Sequence, residues 1–151
     1  MKQKGYVCDY IEERDADLLR AYKEIISVRD NIRFSEVVAQ LAKSPSKRFW
    51  VSELQAYKVI LKILGGKPLS RMIPTRRVMY QEIYRRYLAY SADHPSLTKM
   101  EVVSHVCNEP APSFYLTPKS IITILSRVRK EAKQKCLERT KKRLHFMLGT
   151  L

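Results

Sequence analysis

The chain has 151 residues and a formal net charge of +14, because 29 Lys and Arg side chains outnumber 15 Asp and Glu. An apolar share of 45% can build a core, which excludes a disordered polycation and predicts one compact domain or two very small ones. No apolar stretch approaches the roughly 20 residues that cross a bilayer, so we expect no transmembrane segment. Acidic residues soon follow the basic N-terminus, so we expect no secretory signal and a cytoplasmic location.

The first half of the chain predicts three helices within residues 14–65. Asp15 or Asp17 supplies an acid near the start of the first helix, where it complements the helix dipole. A second helix is predicted over about residues 34–42, and Ser52 is placed to cap the third. The apolar residues at helical spacing are Leu18, Leu19, Tyr22, Ile25 and Ile26 in the first helix, and Leu54, Tyr57, Ile60, Leu61 and Leu64 in the third.

A basic linker is predicted over residues 66–77, where glycine and proline interrupt the helical pattern. A second set of three helices is predicted over residues 78–130, the first of them from 79 to 90. Thr98 and Thr117 are placed to cap the other two, and Pro118 suits the first position of a helix. The buried stripe predicted for the last helix consists of Ile121, Ile122, Leu125 and Val128. Since neither Gly nor Pro interrupts residues 119–148, this helix is predicted to run on into a basic tail, residues 131–151.

The two halves of the chain are similar at an offset of 65 residues. Strand-like alternation is absent from both halves, so the predicted fold is all-α, with two tandem, divergent three-helix units and a basic helical extension. The aromatic pairs of this repeat either anchor each turn in the core, which we favour, or form an exposed platform that stacks on bases. The clearest matches pair Pro45 with Pro110, Phe49 with Phe114, Trp50 with Tyr115, Val51 with Leu116, and Ser52 with Thr117.

This arrangement of helices resembles that of helix-turn-helix DNA-binding proteins. The repeated box Pro-x-x-x-Phe-aromatic-aliphatic-Ser/Thr, at residues 45–52 and 110–117, also resembles short uncharacterised bacterial proteins. The first resemblance implies that the last helix of each unit lies in the major groove of DNA. The second implies a bacterial protein but no function. A role in regulation or on a mobile element is a separate expectation.

Polar and basic residues occupy the face of each third helix that lies opposite its apolar stripe. Gln and Arg read base edges, whereas Lys, Ser and Thr hold phosphates. An ordinary solvated helix surface has a similar composition, so that alternative stays open. The candidate DNA-binding residues are Gln55, Lys58 and Lys62 in the first unit, Arg71, Arg76 and Arg77 in the linker, Ser120, Thr123, Arg127 and Lys130 in the second unit, and Lys135 and Lys142 in the tail.

The positive charge is concentrated in the second half of the chain. Residues 1–65 carry 12 basic and 9 acidic side chains, residues 66–130 carry 11 and 4, and residues 131–151 carry 6 and 2. We therefore expect the second unit and the tail to contribute most to binding a polyanion. For the tail itself, a phosphate backbone, a protein partner and an anionic membrane surface are alternatives, and we favour nucleic acid over protein and either over a membrane.

The sequence offers little for catalysis or for a metal. Cys8, Cys107 and Cys136 show no paired spacing, and the cysteines and histidines form no ligand set with zinc spacing, so we expect inert thiols, no disulfide framework and no metal site. No phosphate-binding glycine loop or nucleophile motif is present, so no cofactor is predicted. The prediction is therefore a non-enzymatic nucleic-acid-binding protein that prefers duplex DNA and is associated with the nucleoid. The alternative is a structural or assembly module that binds protein, or an RNA-binding scaffold.

Overall fold

The computed structural model describes residues 10–149, and within that range it contains helices but no strand. The all-α prediction is therefore confirmed. No helix in the described range is long and apolar enough to cross a membrane. The helices are α1 (Ile11–Val28), α2 (Phe34–Lys43), α3 (Glu53–Leu64), α4 (Pro74–Asp93), α5 (Lys99–Cys107) and α6 (Pro118–Leu148).

Three helices start where the sequence places a hydroxyl side chain. Ser52 Oγ accepts a hydrogen bond from the Gln55 N–H at 3.1 Å, and Thr117 Oγ1 accepts one from the Ser120 N–H at 3.2 Å. Thr98 forms a capping box, since its own N–H donates to the Glu101 carboxylate. Each cap satisfies a backbone donor that a helix start would otherwise leave unpaired. The predicted starts of α3, α5 and α6 are thus confirmed.

Two other helices start earlier than predicted. Because α1 begins at Ile11, the acids of its first turn are Glu12 and Glu13, while Asp15 and Asp17 are buried. The interpretation of Asp15 or Asp17 as a helix-start acid is therefore wrong.

The second early start is that of α4, at Pro74. Proline fits this first turn because its missing N–H has no partner there, and the Arg77 N–H donates to the Ile73 carbonyl at 3.0 Å. Residues 74–77 of the predicted linker are thus helical.

The six helices pack into two clusters, and the third helix of each predicted unit is exchanged, since it packs with the first two helices of the other unit. α1, α2 and α6 enclose one core, with Leu18, Leu41 and Ile121 fully buried, and α3, α4 and α5 enclose the other, with Ile60 and Ile83 fully buried. The packing corrects the predicted division into units over 14–65 and 78–130, because α3 joins the helices of the second half. Among the described helices, α2 does not contact α3 and α5 does not contact α6, so the second and third helices of each predicted unit do not pack together as in a helix-turn-helix.

The segments that lead into the third helices cross each other between the clusters. Ser46 and Ala111 exchange backbone N–H···O hydrogen bonds of 3.0 and 3.1 Å, which form an isolated antiparallel bridge. Phe49, from the first crossing segment (residues 44–52), is buried in the α3–α4–α5 core. Phe114, from the second crossing segment (residues 108–117), is buried in the α1–α2–α6 core. Core anchoring is therefore confirmed for both phenylalanines.

The third helices bury a narrower stripe than the sequence predicts. In α6, Ile122 is exposed and Ile124 is buried in its place. In α3, Ala56, Val59 and Ile60 are buried, whereas three predicted apolar positions are each about two-fifths exposed. A helix that packs on only two neighbours covers a limited arc, so apolar residues at its margins stay in contact with solvent. The three margin positions of α3 are Leu54, Leu61 and Leu64.

Candidate nucleic-acid interface

A two-lobed groove lies where the starts of α1 and α4 meet the starts of the exchanged helices. Arg14 of α1 and Arg76 of α4 line both lobes, so the lobes adjoin each other along these two side chains. The first lobe has a volume of about 250 Å³ and is bounded by the start of α3. The second has a volume of about 420 Å³ and is bounded by the start of α6.

The first lobe is lined by a side-chain amide and by aromatic side chains, one of which is held by a hydrogen bond. Gln55, exposed on the first turns of α3, lines it together with Tyr80 and Trp50. The Trp50 indole Nε1–H donates to Asp17 at 3.0 Å, which holds the ring in place. Burial raises the pKa of Tyr80, so its hydroxyl stays protonated at neutral pH and keeps a donor. The lobe can therefore offer uncharged donors and acceptors beside the cationic Arg76.

The second lobe is lined by hydroxyl groups and a lysine from α6. The Thr117 hydroxyl donates to Ser120 Oγ at 2.9 Å, so the Ser120 proton remains free to donate to a ligand. Thr123 and Lys119 lie on the same lobe. Tyr115, at its edge, has a left-handed backbone with φ of 53°, an uncommon conformation for a bulky residue. Hydroxyl and ammonium donors of this kind suit phosphate oxygens.

The charges around the groove leave an excess of cations. No Asp or Glu is among the described residues that line either lobe. Arg14 is paired with Asp15 at 3.1 Å, and the same carboxylate also accepts from Arg127. Two guanidinium groups thus share one carboxylate. Arg76 and Lys119 have no carboxylate within ion-pair distance among the described residues, so their charge is available to an anion.

Four of the predicted DNA-binding residues come together in this groove. Gln55 lines the first lobe, Ser120 and Thr123 line the second, and Arg76 lines both. Four other predicted residues lie on the body of the protein but outside the groove. Lys58 and Lys62 are exposed farther along α3, and Arg71 is exposed in the connection before α4. Arg77 is half-buried in the first turn of α4.

The remaining predicted residues lie on α6 beyond the groove. Arg127 is about two-fifths exposed, and its guanidinium is paired with Asp15, which compensates part of its charge. Lys135 borders a separate hollow beside α1 that also contains acidic residues. Lys130 and Lys142 are exposed on the helix surface. The four residues therefore follow the length of α6 and do not form one compact patch with the groove.

The groove residues that sequence reasoning missed include Arg14, Thr75 and Lys119. Lys119 is adjacent to Ser120 in the first turn of α6, so the cap at Thr117 was a usable signal for it. Arg14 and Thr75 join the other groove residues only because the starts of α1 and α4 line the same groove. No local pattern in the sequence encodes that arrangement.

The thiols and acids do not suggest a second kind of site. Burial raises the pKa of the Cys107 thiol to about 12, so it is a protonated core side chain at neutral pH. Cys136 is exposed, and Cys8 lies outside the described residues. Within residues 10–149, no three His, Cys, Asp or Glu side chains are grouped so that they could hold a metal ion.

Comparisons of the chain with protein-family models, with curated proteins and with solved structures found no match.

Proposed function

We propose that the protein is a non-enzymatic nucleic-acid-binding protein that holds duplex DNA across the two-lobed groove. Arg76 and Lys119 contact the phosphates, and Gln55 and Ser120 approach the base edges from opposite sides. Exposed lysines farther along α3 and α6 add phosphate contacts outside the groove. A protein of this kind acts in the cytoplasm at the nucleoid, in a regulatory or mobile-element role.

The observation that carries the proposal is the meeting of both exchanged helices in one acid-free groove. α3 belongs to one cluster and α6 to the other, yet Gln55 and Ser120 flank the same pair of arginines. A polyanion that follows the groove therefore contacts both clusters at once. Cationic and hydroxyl donors on a shared concave surface are the residue types that hold a nucleic-acid backbone.

The arrangement also favours the predicted repeat, which we retain as part of the proposal. The bridge between the crossing segments joins Ser46 and Ala111, which are 65 residues apart. Gln55 and Ser120, on matching walls of the two lobes, have the same separation. On this view the molecule has an approximate two-fold axis through the groove. Since the lobes differ in charge, the bound site would be asymmetric.

The experiment is a binding titration of the full chain with fluorescently labelled duplex DNA, structured RNA and single-stranded DNA. We expect the duplex to bind most tightly, and we expect salt to weaken its binding steeply. Neutralisation of about 7 phosphates gives a slope of log K against log salt of roughly −6. Tighter binding of structured RNA would replace the DNA proposal with the RNA scaffold. No retention of any nucleic acid at low salt would contradict the function itself.

A matched pair of double variants tests the groove within that titration. Arg76→Ala with Lys119→Ala should reduce the magnitude of the salt slope by about 2 and weaken the binding of every sequence alike. Arg29→Ala with Lys99→Ala removes the same charge from exposed positions outside the groove and should change the affinity little. Equal losses in both variants would show that net charge, and not the groove, determines binding.

A further inference from the structure

The C-terminal part of α6 projects beyond the folded body. Val128 is the last half-buried residue of the helix, and every residue from 131 to 148 is exposed. We call residues 131–148 the α6 arm. At 1.5 Å per residue, its 18 residues extend over about 27 Å. Except at its start, where Glu131 and Lys135 border a hollow beside α1, the arm has no neighbour among the described residues.

One side of the α6 arm carries a regular apolar seam. Leu137, Thr140, Leu144 and Met147 follow one another at spacings of three, four and three residues, which is the pattern of a helix that pairs with another helix. Leu137 and Leu144 are 51% and 52% exposed, and Met147 is 70% exposed. Exposed leucines at this spacing are costly in water, so the seam is the part of the arm that gains most from a partner.

The seam points away from the rest of the protein. Leu137 follows Val128 by nine residues, which at about 100° per residue is half a turn around the helix axis. Because Val128 packs against the α1–α2–α6 core, the seam lies on the opposite side of α6. No described element of this chain covers it. Within residues 10–149 the seam is therefore open to a helix from another molecule.

The charge of the α6 arm selects the chemistry of that partner. Six basic and two acidic side chains lie within residues 131–148. Lys141 and Arg143 are at the positions that flank the seam and face the neighbouring helix in a helix pair. A pair of identical arms would bring two surfaces together that each have a net charge of 6 − 2 = +4, so a second copy is disfavoured. A partner with carboxylates at the flanking positions is favoured by the same geometry.

A nucleic acid does not fit the seam. Phosphates would contact the cations but would leave Leu137, Leu144 and Met147 in water. Lys135 and Lys142, the arm residues predicted to bind DNA, are seven residues apart on the side away from the seam. The two sides of the α6 arm can therefore serve different ligands.

We propose that the seam of the α6 arm docks an acidic amphipathic helix of another protein. Apolar residues of that helix cover Leu137, Leu144 and Met147, and its flanking Glu or Asp side chains pair with Lys141 and Arg143. The arm then recruits a protein, whether or not the groove holds DNA. This inference does not depend on the proposed function.

The test titrates the full chain with two synthetic three-heptad helical peptides. Both have Leu at the seam positions, but one has Glu at the flanking positions and the other has Lys. We expect the Glu peptide to bind at least about tenfold more tightly than the Lys peptide. Lys141→Glu with Arg143→Glu should reverse that preference. Equal binding of both peptides, or of neither, would overturn the proposal.

A pair of single variants separates the seam from net charge. Leu144→Ser should abolish binding of the Glu peptide. Phe146→Ser removes a more exposed apolar side chain, 81% exposed and about half a turn from Leu137, and should leave binding unchanged. Circular dichroism would verify that both variants keep the helix. Retained binding in Leu144→Ser would show that charge alone attracts the peptide, against the proposal.

Two further measurements on the wild-type chain and on Leu144→Ser test whether a second copy of the chain or a lipid surface covers the seam instead. Sedimentation should give a monomer for both. A wild-type dimer that Leu144→Ser dissolves would assign the seam to a second copy and overturn the proposal. Vesicles of phosphatidylcholine with phosphatidylserine should bind both chains equally weakly. Binding that depends on Leu144 would assign the seam to a lipid surface and would likewise overturn the proposal.

Discussion

The two helix clusters anchor their crossing segments by different chemistry. In the α1–α2–α6 cluster a buried carboxylate holds the segment directly. Asp17, with a side chain 1% exposed, accepts from Arg20 at 2.6 Å, from the Lys47 N–H at 2.9 Å and from the Trp50 Nε1–H at 3.0 Å. Three donors from two parts of the chain thus compensate the burial of one negative charge.

In the α3–α4–α5 cluster the anchoring carboxylate is nearer the surface and acts through an arginine. Glu82, 21% exposed, pairs with Arg85 at 2.6 Å and with Arg86 at 3.0 Å. Arg86 reaches the second crossing segment, where it donates to the Pro110 carbonyl at 2.8 Å and pairs with Glu109. A carboxylate can hold a segment directly where it is buried against it. At the surface a long guanidinium side chain spans the remaining distance.

The largest effect on stability is expected when the phenylalanine of each crossing segment is removed. Phe49→Ala and Phe114→Ala should each lower the free energy of unfolding by about 3–5 kcal/mol, because each leaves a cavity in a core. Chemical denaturation measures the loss. A much smaller loss from one variant would show that its cluster can collapse around the gap.

The same two variants test the helix exchange, and buried Cys107 supplies the readout. Cys107 lies in the α3–α4–α5 core, so Phe49→Ala should accelerate its labelling by a thiol reagent more than Phe114→Ala does. Mass spectrometry of the Cys107 peptide follows the rate, and exposed Cys136 serves as an internal standard. The opposite order would mean that each half of the sequence packs on itself.

The two anchoring carboxylates should differ in their contribution to stability. Asp17→Asn leaves buried donors with a weaker partner, so we expect a loss of about 2–4 kcal/mol in the free energy of unfolding. Glu82→Gln affects a more solvated pair, and we expect less than about 1 kcal/mol. Urea denaturation of the two variants at neutral pH measures both values. Similar losses would contradict the contrast between the clusters.

The caps of the exchanged helices should be equivalent. Ser52→Ala and Thr117→Ala each remove an oxygen that accepts a backbone N–H at a helix start, so each should cost about 1 kcal/mol of unfolding free energy. Ser126→Ala, at an exposed position within α6, is the matched control and should change stability little. Thermal or chemical denaturation is sensitive enough to resolve these differences. If Thr117→Ala left the free energy of unfolding unchanged, Pro118 alone would determine the start of α6.

The smallest effect we predict is a pH dependence at Glu82. The hydrogen bond from Arg85 lowers the pKa of the Glu82 carboxyl below its ordinary value of 4.5, and Arg86 adds to this shift. A carboxyl with a lower pKa in the folded state stabilises the protein above its unfolded-state pKa, and this contribution is lost as pH falls through the folded-state pKa. The difference in the free energy of unfolding between the wild type and Glu82→Gln, measured from neutral pH into the acid range, should therefore decrease below about pH 4.5. A difference that does not change with pH would contradict the assignment.

The sequence predicted the local features of the fold well, because they depend on neighbouring residues. Ser52, Thr98 and Thr117 were identified as caps since each hydroxyl needs only an N–H two or three residues ahead. The long helix after Pro118 followed from the lack of any helix breaker. The start of α4 was missed because the glycines and prolines before it suggested a linker, although Pro74 fits a first helical turn.

The groove was only partly predictable. Gln55, Arg76, Ser120 and Thr123 were selected by residue type and helical face, and the structure brings them onto one groove. The ion pair of Arg127 with Asp15 was not predicted, because α1 and α6 come together only in the folded chain. A contact across more than a hundred residues leaves no trace in helical periodicity. Arg14 was missed for the same reason.

Residue order alone determined the helical class, the caps and the basic arm, since hydrogen bonds and side-chain spacing within one or two turns decide them. Tertiary structure decided which helices share a core. α3 carries an apolar stripe that either pair of helices could bury, and no local signal distinguishes the two choices. The crossing at Ser46 and Ala111, with Phe49 and Phe114 each placed in the opposite core, makes that choice and builds the groove between the clusters.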